Sequence, residues 1–167
     1  EAYDASGRLR SITNRAGLNQ AMADDIRGRL ASVTDSFGRQ LILAYNTTGQ
    51  LSALTDPAAS QYMYVYNAAG DISTVTYPDQ SVQQYLYEYT DPDDVRTALH
   101  LLTGVVDENN NRFANYQYDT NGRLTYEDHG NGIDKRAIDY AFDAYGGISS
   151  TTISDALNFS RTSTFAI

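Results

Sequence analysis

Leu30-Ala31-Ser32-Val33-Thr34-Asp35 returns 21 residues later as Leu51-Ser52-Ala53-Leu54-Thr55-Asp56. Between the two runs lies an alternating segment, Leu41-Ile42-Leu43-Ala44-Tyr45, which ends in Asn46-Thr47-Thr48-Gly49. Apolar residues at every second position mark a half-buried strand, and Asn followed by Gly supplies the acceptor and the φ freedom of a tight turn. The unit is strand, turn, strand, turn.

The same spacing runs through the chain in both directions. The first apolar residue of each copy falls at Leu9, Leu30, Leu51, Ile72, Leu102, Leu124 and Ile148, with gaps of 21, 21, 21, 30, 22 and 24. A glycine stands two residues earlier in every copy but the one at Leu102: Gly7, Gly28, Gly49, Gly70, Gly122 and Gly146. Five residues beyond the apolar position come Asn14, Asp35, Asp56, Tyr77 and Asp107, whereas the last two copies put His129 and Ile153 there. A fixed period of this length is the mark of a repeat architecture. The expected fold is all-β, a tandem array of ~21-residue β-hairpins forming a curled antiparallel sheet. Repeats are expected over residues 1–155, with an insertion around 90–98, and residues 156–167 as the truncated start of a further copy. Within the insertion, Asp94 caps one helical turn carrying Val95 and Leu99, or the segment is a polar loop.

Tyrosines alternate along several of these strands: Tyr62, Tyr64 and Tyr66, then Tyr85, Tyr87 and Tyr89, with shorter rows at Tyr116 and Tyr118 and at Tyr140 and Phe142. Each row puts its rings on one face, and neighbouring strands are expected to stack them into a cross-strand ladder. Leu30 with Val33, and Ile72 with Val75, are three apart, so in a regular strand they face opposite sides. Both faces of the sheet are then expected to be partly apolar.

Composition narrows the function classes. The chain has 167 residues, enough to bury roughly 70% of the unfolded surface if compact. Its net charge is -9 with 12 scattered basic residues, which argues against a surface that tracks nucleic-acid phosphates. It has no cysteine, so disulfides and thiolate metal sites are absent. No apolar run approaches the ~20 residues of a membrane span, and no signal-peptide pattern is present. The start inside a repeat at Tyr3-Asp4 and the ending in Phe165-Ala166-Ile167 suggest a piece of something longer.

Tyr3-Asp4-Ala5-Ser6-Gly7-Arg8-Leu9 and Tyr118-Asp119-Thr120-Asn121-Gly122-Arg123-Leu124 are full Tyr-Asp-x-x-Gly-Arg-Leu motifs. With the 21-residue period, they resemble the YD repeats of the rearrangement-hotspot (Rhs) family. Leu101-Leu102-Thr103-Gly104-Val105-Val106-Asp107-Glu108-Asn109 is similar to a Leu-Thr-Gly-Ile-x-Asp-Glu-Asn segment of bacterial Rhs proteins. The resemblance covers residues 3–155. It implies hairpins joined into one spiralling sheet, a hollow shell around a toxic C-terminal polypeptide. Such shells occur in contact-dependent and type VI secretion effectors and in insecticidal toxin complexes, while animal teneurins carry a similar barrel and act in adhesion. The family's autocleavage motif, Asp-Pro-x-Gly-Leu, has no counterpart, because Asp56-Pro57 and Asp91-Pro92 lack the Gly and Leu that follow. Seven copies of two strands make a sheet roughly 67 Å wide at ~4.8 Å per strand, about 20 Å across if closed. That is at most about one winding of such a shell, too narrow to hold a folded toxin.

No constellation calls for a catalytic role. Asp107, Asn109 and Asn111 open like a calcium loop, but Arg112 stands where the loop needs glycine and Tyr118 where it needs glutamate, which leaves a turn. Asp91, Asp93 and Asp94 read as solvated loop charge, and His100 and His129 lie in different copies without metal or triad spacing. No cofactor or metal is expected. The candidate binding residues are Tyr62, Tyr64, Tyr66, Tyr85 and Tyr87, whose rings stack on sheet neighbours or on a sugar. The expected role is a shell segment of a secreted Rhs-type toxin, not an enzyme, exported by a bacterial secretion system. Its partners are the rest of the parent chain and the enclosed toxin, with self-association through exposed sheet edges. The alternative is a carbohydrate-binding or adhesion module at a cell surface.

Overall fold

The structure, a computed structural model, describes residues 1–88 and 100–165. Tyr89, the acidic residues Asp91, Asp93 and Asp94, and the cap with Val95 and Leu99 lie outside the described residues. Two units are distinguished: residues 1–65 with 75–81, and residues 66–74 with 82–167.

The first unit carries β1 (Ala2–Tyr3), β2 (Leu9–Thr13), β3 (Asn19–Asp24), β4 (Leu30–Asp35), β5 (Gln40–Tyr45), β6 (Leu51–Thr55) and nearly all of β7 (Gln61–Tyr66). The strand β8 (Ile72–Thr76) is divided between the units. The second unit carries β9 (Val82–Leu86), β10 (Gly104–Val106), β11 (Arg112–Tyr118), β12 (Leu124–His129), β13 (Ile133–Phe142), β14 (Ile148–Asp155) and β15 (Ser160–Thr164). From β1 to β7, and again from β9 to β15, each strand pairs antiparallel with the next in sequence. The architecture is all-β, with tandem hairpins forming an antiparallel meander in each unit.

One turn is used over and over. At Asp4, Asn14, Asp25, Asp35, Asn46, Asp56, Asn67, Tyr77, Asp107, Asp119, Asp143 and Asp155, the residue's N–H bonds to the carbonyl four residues on, and its own carbonyl accepts the N–H three residues on. From Asp4 to Tyr77 the turns come alternately 10 and 11 residues apart, so the period of 21 holds two copies of one device. Except at Tyr77, the side-chain Oδ1 accepts the N–H groups two and four residues on, as Asp25 does from Arg27 and Arg29 at 2.8 and 2.9 Å. Only a short side chain with an acceptor reaches both donors, which is why the position is Asp or Asn. The fourth position has positive φ: Gly38 at 78°, Gly49 at 92°, but Ala59 at 64° and Gln80 at 69°.

An odd period poses a problem for a structure whose side chains alternate every two residues. Carried through regular strands, 21 residues would turn each copy's inward set outward in the next. In the first unit a bulge in alternate hairpins resolves it, and in the second the register shifts in each pairing from β10 to β14. Asp24 pairs with Leu30 and Ala23 with Ser32, leaving Ala31 unpaired; Tyr45 pairs with Leu51 and Ala44 with Ala53, leaving Ser52. Arg10, Phe113, Thr125 and Ser149 are left out in the same way. Leu30 therefore lies on the face of Asp24, and Val33 on that of Met22, which is the same face. This corrects the expectation that residues three apart face opposite sides: the three-residue spacing is the imprint of the bulge. Across β4 to β7 the apolar row Val33, Leu41, Leu43, Leu54 and Tyr62 shares one face.

That face is half-buried, and the opposite one exposes Ile42 at 45%, Met63 at 41% and Val65 at 53%. Among the described residues, Val75 and Ala114 are the buried apolar side chains, and no large side chain is fully buried. Most of the hydrophobic surface of the described residues is thus left half-buried or exposed.

Candidate functional site

Residues of the motif act together, because the bulged turns at Asp25 and Asp119 are each tied to the strand that follows the hairpin. In the first unit the Asp25 carboxylate holds Arg29 (Nη2 to Oδ2, 2.6 Å), and the Arg29 guanidinium carbon lies 4.1 Å from the centre of the Tyr45 ring. The Tyr45 hydroxyl donates to the Leu30 carbonyl at 2.8 Å. Arg29 Nη1 is buried without an acceptor, so the ring face is what that cation meets. The second unit repeats the arrangement: Asp119 holds Arg123 at 2.7 Å, Arg123 lies over Phe142 at 4.5 Å and Tyr140 at 5.5 Å, and the Tyr140 hydroxyl donates to Leu124 at 2.9 Å. Tyr118 donates likewise to the Leu102 carbonyl at 2.7 Å. The first turn varies the theme, with Arg10 on both Asp4 and Asp24 and Arg8 on Asp24 and the Gly28 carbonyl.

These contacts set the acidity of the turns. The main-chain N–H of Arg8 and then the Arg10 guanidinium lower Asp4; the N–H and then the side chain of Arg29 lower Asp25. Burial pushes Asp35 and Asp119 up, but their hydrogen bonds to Arg39 and Arg123 outweigh it, leaving both lowered.

Of the candidate tyrosines, Tyr62 and Tyr64 lie in the first unit and Tyr66, Tyr85 and Tyr87 in the second. Tyr62, Tyr64 and Tyr66 share the half-buried face of β7. Tyr62 meets the Tyr77 ring edge-on at 6.0 Å, the Tyr85 hydroxyl donates to Gln83 at 2.7 Å, and burial raises Tyr87. The registers correct the expected ladder of rings. Tyr62 stands opposite Leu54, Tyr85 opposite Val105, Tyr116 opposite Glu127 and Tyr140 opposite Thr151. Tyr126 of β12, next to the tyrosines of β11, stands opposite Gln117, so none of these registers sets one tyrosine directly across from another.

Asp107 takes the turn role, its Oδ1 accepting the N–H groups of Asn109 and Asn111 at 3.0 and 2.7 Å. His100 Nδ1 is 2.6 Å from Asp71 Oδ1, and the His129 ring lies 5.3 Å from that of Phe113. No group of metal-binding side chains occurs among the described residues, and no helix there is long and apolar enough to cross a membrane. The Leu-Thr-Gly segment was singled out for its resemblance, but its contacts were not foreseen. Thr103 Oγ1 donates to the Leu86 carbonyl at 3.0 Å and accepts from Glu88 N–H at 2.9 Å, while Arg112 crosses the space above Gly104.

Comparison with known proteins gives the chain its kin. The family described as Teneurin YD-shell matches residues 1–103. No curated protein matches the chain. Among solved structures, a crystal structure of TcdB2-TccC3 without its hypervariable C-terminal region is 18% identical with a TM-score of 0.63, and a crystal structure of TcdB2-TccC3-Cdc42 is 15% identical with 0.62. The Photorhabdus luminescens Tc holotoxin pore is 17% identical with 0.60. Each match covers 98% or 99% of this chain but only 9% or 10% of the other, so the chain spans about a tenth of their length. At these identities the likeness is one of fold. The turn device, the bulged hairpins and the Tyr-Asp-x-x-Gly-Arg-Leu motif fit the sequence match, and the chain belongs to the Teneurin YD-shell family.

Proposed function

We propose that this chain is a length of wall in an extracellular toxin shell. The observation that carries this reading is the one-faced sheet: bulges keep one apolar, half-buried face in phase from copy to copy, while Val75 and Ala114 alone of the described apolar residues are buried. A sheet so made is suited to covering something else. The likeness in fold to TcdB2-TccC3 structures supports the toxin setting. In the finer reading, the shell encloses a toxic polypeptide at the C-terminal end of the same parent chain, and a bacterial secretion system, such as type VI, exports it. The chain's part is mechanical, with the tyrosines serving as wall.

Limited proteolysis of the parent chain tests this. The enclosed polypeptide should survive trypsin in the intact protein and be digested once Asp119→Ala and Arg123→Ala loosen a bulged turn. Equal digestion of both proteins would remove encapsulation from consideration. Carbohydrate recognition by the tyrosine rows is the competing proposal, and glycan binding abolished by Tyr62→Ala with Tyr64→Ala would favour it.

A further inference from the structure

Two asparagines of the second unit are followed by glycine, Asn121-Gly122 and Asn131-Gly132, and both asparagines are exposed. An asparagine whose successor has no side chain is open to loss of its amide. The following main-chain nitrogen gives up its proton to hydroxide and attacks the side-chain Cγ. The new N–C bond closes a succinimide ring as the bond from Cγ to the amide nitrogen breaks and ammonia leaves. Water then opens the ring at either carbonyl, giving aspartate or isoaspartate, whose main chain is longer by an atom. The attacking nitrogen has to lose its proton and approach Cγ, so an N–H held in a hydrogen bond resists the step.

The two sites differ in that hydrogen bond. Gly122 N–H donates to the Asp119 carbonyl at 2.9 Å, while the N–H groups of Asn121 and Arg123 both donate to Asp119 Oδ1 at 2.9 Å. Asp119 N–H closes the same turn on the Arg123 carbonyl at 2.9 Å. At the tip of the β12–β13 hairpin, by contrast, neither the Gly132 N–H nor the Asn131 carboxamide has a hydrogen-bond partner among the described residues. The bond across that tip, from Ile133 N–H to the Gly130 carbonyl, is 3.5 Å long, beyond the ordinary range. Gly130, Asn131, Gly132 and Asp134 all hold positive φ, at 24°, 60°, 80° and 51°. The root of the loop is fixed, since Gly130 N–H bonds the Phe113 carbonyl at 2.8 Å and a Cβ on Gly130 would come within 2.8 Å of the Arg112 carbonyl. A strained tip on a fixed root opens locally at less cost than a turn closed by several short bonds.

We propose that Asn131 is a site of spontaneous deamidation, and that Asn121, with the same residue after it, is protected by its turn. Hydroxide and water are the only co-reactants, and no enzyme is needed. The change turns a neutral hairpin tip into an anionic one. Asn131 and Gly132 line one hollow with Arg112 and Asp128, so the new carboxylate arises beside a guanidinium and an existing acid. Isoaspartate also lengthens the link between His129 and Ile133, which stand opposite each other, and so disturbs the register where β12 turns into β13. None of this depends on what the wall encloses.

The test keeps the full chain in warm, mildly alkaline buffer and digests samples with trypsin, which leaves the two asparagines in separate peptides, 113–123 and 124–135. Fragment masses report conversion of amide to acid at each position, and methyl transfer by an isoaspartyl methyltransferase reports isoaspartate. In the folded chain Asn131 should convert at least about tenfold faster than Asn121, the factor that one or two retained hydrogen bonds supply. In urea, where the turn at Asp119 is gone, the two should convert at similar rates. Asn131→Gln, whose longer side chain closes the ring far more slowly, should leave peptide 124–135 without methyl label. Equal rates in the folded chain would overturn the proposal, as would an Asn131 that converts in urea but keeps its amide when folded.

Discussion

At the scale of the residue, Tyr45 has two jobs that substitution can separate. Tyr45→Phe keeps the ring under Arg29 but leaves the Leu30 carbonyl without its donor, and should cost about 1 kcal/mol in urea unfolding. Tyr45→Leu also removes the ring face and should cost about 1 kcal/mol more. Equal stability of wild type and Tyr45→Phe would show the hydroxyl to be idle. The turn aspartates give a pH dependence with a definite sign. Asp4, Asp25, Asp35 and Asp119 are all lowered from the ordinary 3.8. A lowered carboxyl stabilises the fold above its unfolded value and loses that contribution as pH falls through its folded one. Stability should therefore fall with acidification below about pH 4, read by circular dichroism. Asp25→Asn and Asp119→Asn together should flatten this slope while preserving the turns, since Asn46 and Asn67 already make the same Oδ1 bonds. An unchanged slope would place the acid sensitivity elsewhere.

At the scale of the element, the hairpin turn and the bulge are separable too. Ala59 holds a positive φ of 64° where most of these turns have glycine, so Ala59→Gly should stabilise the chain by about 1 kcal/mol. Gly38→Ala should do the reverse by a similar amount, both measured as shifts of the urea midpoint. Deleting Ala31 removes the residue that keeps successive copies in phase, and should be far more damaging than Ala31→Gly. Hydrogen exchange should show protection lost in β4 and β5. Strands and turns were legible in the sequence because their chemistry is local: an Asx acceptor, a glycine three residues on, and alternation between. The bulge was not, since Arg10, Ala31, Ser52 and Thr125 have no side-chain type in common. It was implied only by the conflict between an odd period and a two-residue alternation. The expected ladder failed for a related reason, because composition puts tyrosines in rows but only register says what stands opposite. The polar cluster of Asn115, Tyr126 and Asp128 was invisible, as its members meet through pairing and follow no motif.

At the scale of the whole molecule, a chain of this length has the hydrophobic residues for a core, yet among its described residues only Val75 and Ala114 are buried apolar side chains. Its heat capacity of unfolding per residue should lie below the roughly 12–15 cal/mol/K of proteins with packed interiors. A calorimetric value inside that range would mean that the apolar face is covered after all. The bulge carries a last consequence for how such a polypeptide can change length. Because each 21-residue copy resets its own handedness of facing, duplication or loss of an entire copy hands the next strand on in phase. A single-codon slip inside a strand inverts everything downstream until another irregularity cancels it. Growth by whole modules is thus tolerated where growth by single residues is not, and lengthening by recombination needs no further mutation to be accepted.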